Sequence, residues 1–548
     1  MPILDNADIK RLTDSLLNDV WSRAHLEWSL DKDYYELEFP VKRGPEVEKV
    51  VPPTARQKVN TFADQLVTSE PTVIRRAIRD SDVSRARAEK TQVAGVLILK
   101  NFDKYSLMPP AKSFAKHLGL YGYATIYGPG WDITRWPMHI ERQGRRRTNK
   151  RYLAEIEERR NKIASVFPFW ITAPHPTKTL LDPQEGKEPT FGIYRERKYA
   201  TALQKAYPDN QDLAKIQPFQ LLTCRTYWSA DQYHMSAGAN DGSEMELMDC
   251  ENPYGFVPFK QALAGYGSDS AMDTGQIALS KLCAGLLRYV RSALEGEASV
   301  KTSLVHYIWR AANQHIFTDG DAGELARLME DNQVVPAPGG QTSIWNEAIP
   351  AIPGGMAEMM GELRSDVDQG TFGNILHGIR PQGVRTASQH AQIVSKAKQF
   401  FHVPMLQLNT IMSLFLGDCG RLLSVFEDEV TLEGTLAGNH RVETIKAEDF
   451  EDNYTFEVDY EASDPMERAA SIETGLQLRM APGPDGQPGA IDWRTFAERF
   501  AHLGNITEIE ERIAEERGMA DPATHQMVMQ LVQQMWQEKV APNGAGMM

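Results

Sequence analysis

The stretch Gly370–Arg421, GTFGNILHGIRPQGVRTASQHAQIVSKAKQFFHVPMLQLNTIMSLFLGDCGR, governs how the chain is read. Its first third is punctuated by Gly370, Gly373, Gly378 and Gly383, with His377, Arg380 and Arg385 between them. Glycine adopts positive φ at little steric cost, so the four are candidate loop hinges. Cations on such a loop can touch phosphate oxygens without reading a base sequence. On composition alone, the segment equally fits an ordinary surface loop between two helices. Farther on, Leu408, Ile411, Met412, Phe415, Cys419, Leu422, Leu423 and Phe426 recur at spacings of three and four. That period predicts a helix with one buried face. Pro404 lacks a backbone donor and crowds the turn before it, so a kink is expected there. A loop on a rigid helical support suggests contact with a moving partner rather than a catalytic pocket.

Around this segment, 548 residues exceed one simple core and suggest three or four structural units. With 42% hydrophobic and 24% charged residues, a sizeable buried core is expected. A formal net charge of -15 argues against a general polyanion binder, but not against DNA contact at a local site. Cys224, Cys250, Cys283 and Cys419 form no CxxC pair and read as free, mostly buried thiols of a reducing compartment. The opening MPILDNADIKRLTDSLL has acidic residues and no apolar core, unlike a signal peptide. No window approaches the roughly 20 apolar residues of a membrane span, so a soluble protein is expected.

Helices are expected at 8–30, with an aromatic landing at Tyr34–Tyr35, at 54–68, and at 82–119 with an interruption at Pro109–Pro110. From Gly119 the period changes, and Gly128-Pro129-Gly130 signals the turn of a β-hairpin. Strand-like runs follow at 166–173, 190–196, 219–230 and 244–259. A helix is expected over 271–316, where Leu279, Leu282, Leu286, Val290 and Leu294 form a stripe and Gly296 is a candidate break. Residues 317–352 are rich in loop residues, with short strands expected at 333–336 and 341–349, and a helix at 354–369 leads to Gly370. Residues 427–464 are strand-like and carry 13 Asp or Glu against two bases, Arg441 and Lys446. Helices are expected again over 465–480, 491–516 and 521–540. The fold class is therefore α+β.

A search for chemistry finds little. There is no GxxxxGK[ST] phosphate loop, no HExxH, no GxSxG and no EF-hand sequence. The 13 histidines show no tight metal-ligand spacing. Acidic runs such as Glu427-Asp428-Glu429 and Glu448-Asp449 could hold Mg²⁺ for phosphodiester cleavage, or be solvated turns. The cationic run RQGRRRTNKR, Arg142–Arg151, could meet phosphates, or be a solvated loop entering a helix at about 150–163. No catalytic residue, metal ligand or cofactor is assigned, and a structural or binding protein is expected.

The order of these segments resembles the portal proteins of tailed double-stranded DNA bacteriophages, the head-to-tail connectors of one capsid vertex. The likeness rests on the opening helices with Trp21, Trp28 and Tyr34–Tyr35, on AKHLGLYGYATIYGPGWD at 115–132, on NPYGFVPFKQ at 252–261, and on LHGIRPQGVRTASQ at 376–389. It implies a portal-like fold: a helical stem, mixed wing, loop/strand clip and helical C-terminal crown. The wing would be 1–270, the first stem helix 271–316, the clip 317–353 and the second stem helix 354–369. The tunnel loop would be 370–386, the kinked helix and wing return 387–464, and the crown and tail 465–548. His377, Arg380 and Arg385 would face DNA in the channel. The resemblance further implies a homo-oligomeric ring of twelve copies in the virion, with double-stranded viral DNA passing through. Partners would be the terminase large subunit, the major capsid or scaffolding protein, and a head-completion or tail adaptor protein, with no membrane. The rival readings are a metal-dependent DNA-processing enzyme using carboxylates of 427–464, and another oligomeric virion protein such as a tail adaptor.

Overall fold

In the computed structural model, the described residues are 3–41, 48–67, 71–79, 81–131, 167–182, 186–208, 210–238, 244–268, 276–312, 316–318, 344–346, 355–373, 399–426, 429–436, 439–460, 475–477 and 479. The chain divides into two compact units, Met1–Ala462 and Ser463–Met548. Of the second, only the helical residues Gly475–Gln477 and Arg479 are described. The first unit is α+β.

The first unit opens with helix α1 (Asn6–Ser15), capped by the Asp5 side chain on the Asp8 amide, then a π-helical turn Leu16–Val20 and helix α2 (Ser22–Glu36). The expected aromatic landing is the last turn of α2, with Tyr34 buried on Phe39. Helix α3 (Thr54–Leu66) buries Val59, Phe62, Ala63 and Leu66, as its period predicts. Strand β1 (Thr72–Ile74) is followed by helices α4 (Asp82–Tyr105) and α5 (Pro110–Tyr121), and the break between them falls at Pro109–Pro110. Proline at N1 of α5 costs nothing, because the first-turn amides have no intrahelical partner.

The expected hairpin at Gly128-Pro129-Gly130 is one continuous, wholly buried strand, β2 (Tyr123–Trp131). It pairs with β3 (Phe169–Thr172) on one side and β9 (Phe259–Leu263) on the other. The glycines make room rather than a turn. A Cβ on Gly130 would lie 2.1 Å from the Trp170 indole, and Gly128 has φ +127 against the Trp170 carbonyl. A register shift between Tyr127 and Gly130 absorbs the irregular backbone.

A second, five-stranded antiparallel sheet runs in the order β4 (Thr179–Leu181), β5 (Phe191–Tyr199), β6 (Leu221–Ser229), β7 (Gln232–Gly238), β8 (Glu244–Glu251). The short helices α6 (Ala200–Ala206) and α7 (Gln211–Ala214) pack on it around Leu203, Leu213 and Leu222. The run expected at 244–259 is two strands, because residues 252–258 turn from β8 into β9.

The helix expected over 271–316 is interrupted. Helix α8 (Gln276–Leu282) ends, residues 283–290 form an irregular connection, and helix α9 (Arg291–Ala312) follows. Leu286 and Val290 are buried as the stripe predicts, but as part of the connection. Its backbone docks on the α5–β2 corner. The Leu286 amide donates to the Gly119 carbonyl at 2.8 Å, and a Cβ on Gly285 would meet the Leu120 carbonyl oxygen at 2.0 Å. Those tertiary bonds replace helical ones. Gly296, the candidate break, lies inside α9.

After α9 comes a small antiparallel ribbon, β10 (Ile316–Thr318) on β11 (Ile344–Asn346), then helix α10 (Gly355–Gly370). Helix α11 (His402–Phe426) buries all eight residues of its predicted stripe. It runs through the largest core cluster, against Phe102, Trp131 and Phe450. The acidic stretch forms the hairpin β12 (Glu429–Leu436) and β13 (Asn439–Lys446), and β14 (Glu457–Asp459) pairs with β1.

Candidate functional site

The expected channel loop lies between α10 and α11, so the site is built from what holds these helices. Helices α9 and α10 pack antiparallel: Val290 at the base of α9 meets Gly370 at the end of α10, while Gly296 meets Leu363 farther along. A Cβ on Gly296 would approach Leu363 Cδ2 to 2.9 Å, so the glycine lets the axes come close. Beside it, the wholly buried Glu297 carboxylate accepts from Arg364 Nε at 2.9 Å and from Thr54 Oγ1 at 3.0 Å. A buried carboxylate is costly unless hydrogen-bonded and paired, and here it is both.

Burial along α9 fades from base to tip. Ala293, Leu294, Ala298 and Val300 are buried, while Val305, Ile308 and Trp309 are exposed, Trp309 by 58%. The three exposed apolar residues lie at helical spacings of three and four, forming one partly exposed ridge.

The base of α9 is tied to α2 by an ion network. Asp31, with no exposed surface, accepts from Arg288 Nη2 at 3.0 Å and from Arg291 Nε and Nη2 at 3.0 and 2.6 Å. Glu27 takes Arg291 Nη1 at 2.7 Å. Burial raises the Asp31 pKa, and the two guanidinium groups oppose that rise. For Arg291, burial pulls downward, but the Asp31 and Glu27 carboxylates outweigh it and hold its pKa above the usual value. None of these residues stands out in the sequence; the only signal is Asp31 on the buried side of an otherwise apolar α2 face.

The described start of the expected loop packs on the residues just before α11. Thr371 and Phe372 are buried directly after α10, and the Phe372 ring lies 6.1 Å from Phe400 and 5.3 Å from Phe401. Gly370 ends α10, and a Cβ added to Gly373 would have nothing within 4 Å. His377, Gly378, Arg380, Gly383 and Arg385 lie outside the described residues, as does the cationic run 142–151. Pro404 occupies the first turn of α11, where the amide it lacks would have no helical acceptor.

Three carboxylates of the acidic stretch pair with bases on or just before α4. Asp449 takes Lys90 at 2.7 Å, Glu451 takes Arg87 at 3.1 Å, and Glu457 takes Arg76 at 3.2 Å. Arg75 threads into the turn before β14, donating to the carbonyls of Asp449, Phe450 and Asn453 at 3.2, 2.6 and 2.8 Å. These pairs, together with buried Val430, Leu432, Leu436 and Ile445 packed in one cluster with Leu97, hold the stretch on α4. Among the described residues, no three His, Cys, Asp or Glu side chains are grouped as a metal site. The four cysteines are free, three of them buried and Cys250 exposed. No described helix is long and apolar enough to cross a membrane.

No known family model matches the chain, and no curated protein sequence matches it.

Proposed function

We propose that the chain is a non-enzymatic portal subunit, assembling as a ring of twelve at one capsid vertex. DNA would pass through the ring during packaging and ejection. The observation that carries this reading is the α9–ribbon–α10 excursion, whose helices pair at their base and whose far part exposes Val305, Ile308 and Trp309. An apolar ridge on a lone protomer is what a ring subunit buries against its neighbour.

The loop expected at 370–386 suits the same reading, since its described start, at Phe372, packs on Phe401 just before α11. His377, Arg380 and Arg385 are the residues proposed to brush DNA phosphates. A net charge of -15 with only a few cations on the loop suits a conduit, because each neutralised phosphate adds affinity that would act as a brake. The proposed partners are viral DNA, the terminase large subunit during packaging, a capsid or scaffolding protein, and a head-completion or tail adaptor protein; the proposed place of the subunit itself is the virion.

Electron microscopy of the purified protein tests the assembly: end-on rings with a central hole are expected, and a monodisperse monomer at all concentrations overturns the reading. Replacing His377, Arg380 and Arg385 together by Ala tests the loop. Altered DNA packaging or retention is expected, and unchanged values remove the three residues from the mechanism.

A further inference from the structure

Helix α3 carries a lysine on its apolar side. Its buried stripe runs Ala55, Val59, Phe62, Ala63 and Leu66, and Lys58 falls in the same phase with only 2% of its surface exposed. Burying an ammonium group is costly unless its donors are met. Here Nζ donates to Asp368 Oδ1 at 2.7 Å, in the last turn of α10, and to the Phe372 carbonyl at 2.5 Å. The same Nζ sits 4.8 Å from the Phe372 ring centroid. Lys58 thus grips the chain as it leaves α10.

One turn along the same face, Phe62 grips the chain as it comes back. Its ring lies 5.4 Å from Phe401, which in turn packs on Phe372, and 6.2 Å from Tyr266, which stacks on Phe400 at 4.7 Å. At the other end of α3, Thr54 bonds the buried Glu297 of α9. One helix therefore touches both members of the antiparallel pair and both ends of the chain segment between Phe372 and Phe400.

We propose that Lys58 is a positioning residue: its ammonium fixes Phe372 against Phe401, holding the chain just after α10 against the chain just before α11. What the segment between them does rests on the portal reading; that Lys58 holds its ends does not. Lys58→Met keeps the apolar stem and removes the donor that the Phe372 carbonyl and the Asp368 carboxylate share. Asp368→Asn is milder, because it leaves the carbonyl bond in place.

The test is amide hydrogen exchange on the full chain, read by peptide. In Lys58→Met, exchange over Thr371–Gly373 and Phe400–Phe401 is expected to rise about tenfold or more, as loss of a charged hydrogen bond implies. Asp368→Asn should raise the same peptides by less, and the α9 peptides near Ala293 should not move. Unchanged exchange at the two ends overturns the proposal. So does a rise spread evenly over α3, α9 and α10, which marks a purely structural lysine. Should Lys58→Met not fold, Asp368→Asn decides alone. Failure of the portal reading shows separately, as a monodisperse monomer in electron microscopy of the purified protein.

Discussion

Replacing Asp31 with Asn should loosen the base of α9 from α2 more than any surface change could. The substitution keeps the side-chain volume but removes the charge facing Arg288 and Arg291, and puts an amide NH₂ where one oxygen accepted. Both guanidinium groups are largely buried, with 12% and 16% of their side-chain surfaces exposed. Removing one partner of a buried pair typically costs about 3–5 kcal/mol, because the remaining charge stays desolvated. Glu27 stays in place for Arg291 at 2.7 Å, and the Ser280 carbonyl still accepts from Arg288 at 2.9 Å. The lower end, about 3 kcal/mol, is therefore expected. In an exchange experiment this corresponds to roughly a hundredfold faster opening of amides near Val290–Leu294. The control is Asp8→Asn, which breaks an exposed pair with Arg11 and should cost less than about 0.5 kcal/mol. A cost below about 1 kcal/mol for Asp31→Asn refutes the reasoning. It would mean that Glu27 alone neutralises both arginines.

Two further outcomes follow from backbone and titration. Gly122 and Gly255 share φ +69, but a Cβ on Gly122 would meet the Ala284 carbonyl oxygen at 2.1 Å, while Gly255 has open space. Gly255→Ala should cost about 1 kcal/mol for the left-handed backbone alone, and Gly122→Ala clearly more, in urea unfolding followed by tryptophan fluorescence. Equal costs would show that the α5 corner yields freely. His25 and His175 are held down to about 4, chiefly by burial, then by Arg195 for His25 and Lys178 for His175. Between pH 6.5 and 4 the unfolded chain binds protons that the folded chain refuses, so stability is present above 6.5 and lost as pH falls through that window. Each shift is worth at most about 3 kcal/mol. His175→Gln should flatten the fall in melting temperature between about pH 7 and 4.5, and parallel curves for variant and parent would count against it.

Elements whose signal is local could be read from the chain alone. The eight-residue stripe of α11, the faces of α3 and the Pro109–Pro110 break all follow from periodicity and proline, which need no partner to be read. So does the strand character of the acidic stretch, though not the pairing of β12 with β13. Folding in three dimensions settled the places where two distant backbones meet. Gly128-Pro129-Gly130 has the composition of a turn but serves a buried strand, because Trp170 fills the space its missing side chains leave. Residues 283–290 have a helical period but are not helical, because Gly285 and Leu286 meet the α5 corner instead of continuing their own turn. Lys58 and Asp31 gain their partners only when Asp368, Phe372, Arg288 and Arg291 arrive from hundreds of residues away. A charge is legible as buried only when its partners are in place, since solvation and pairing depend on the assembled surroundings and not on the neighbours in sequence.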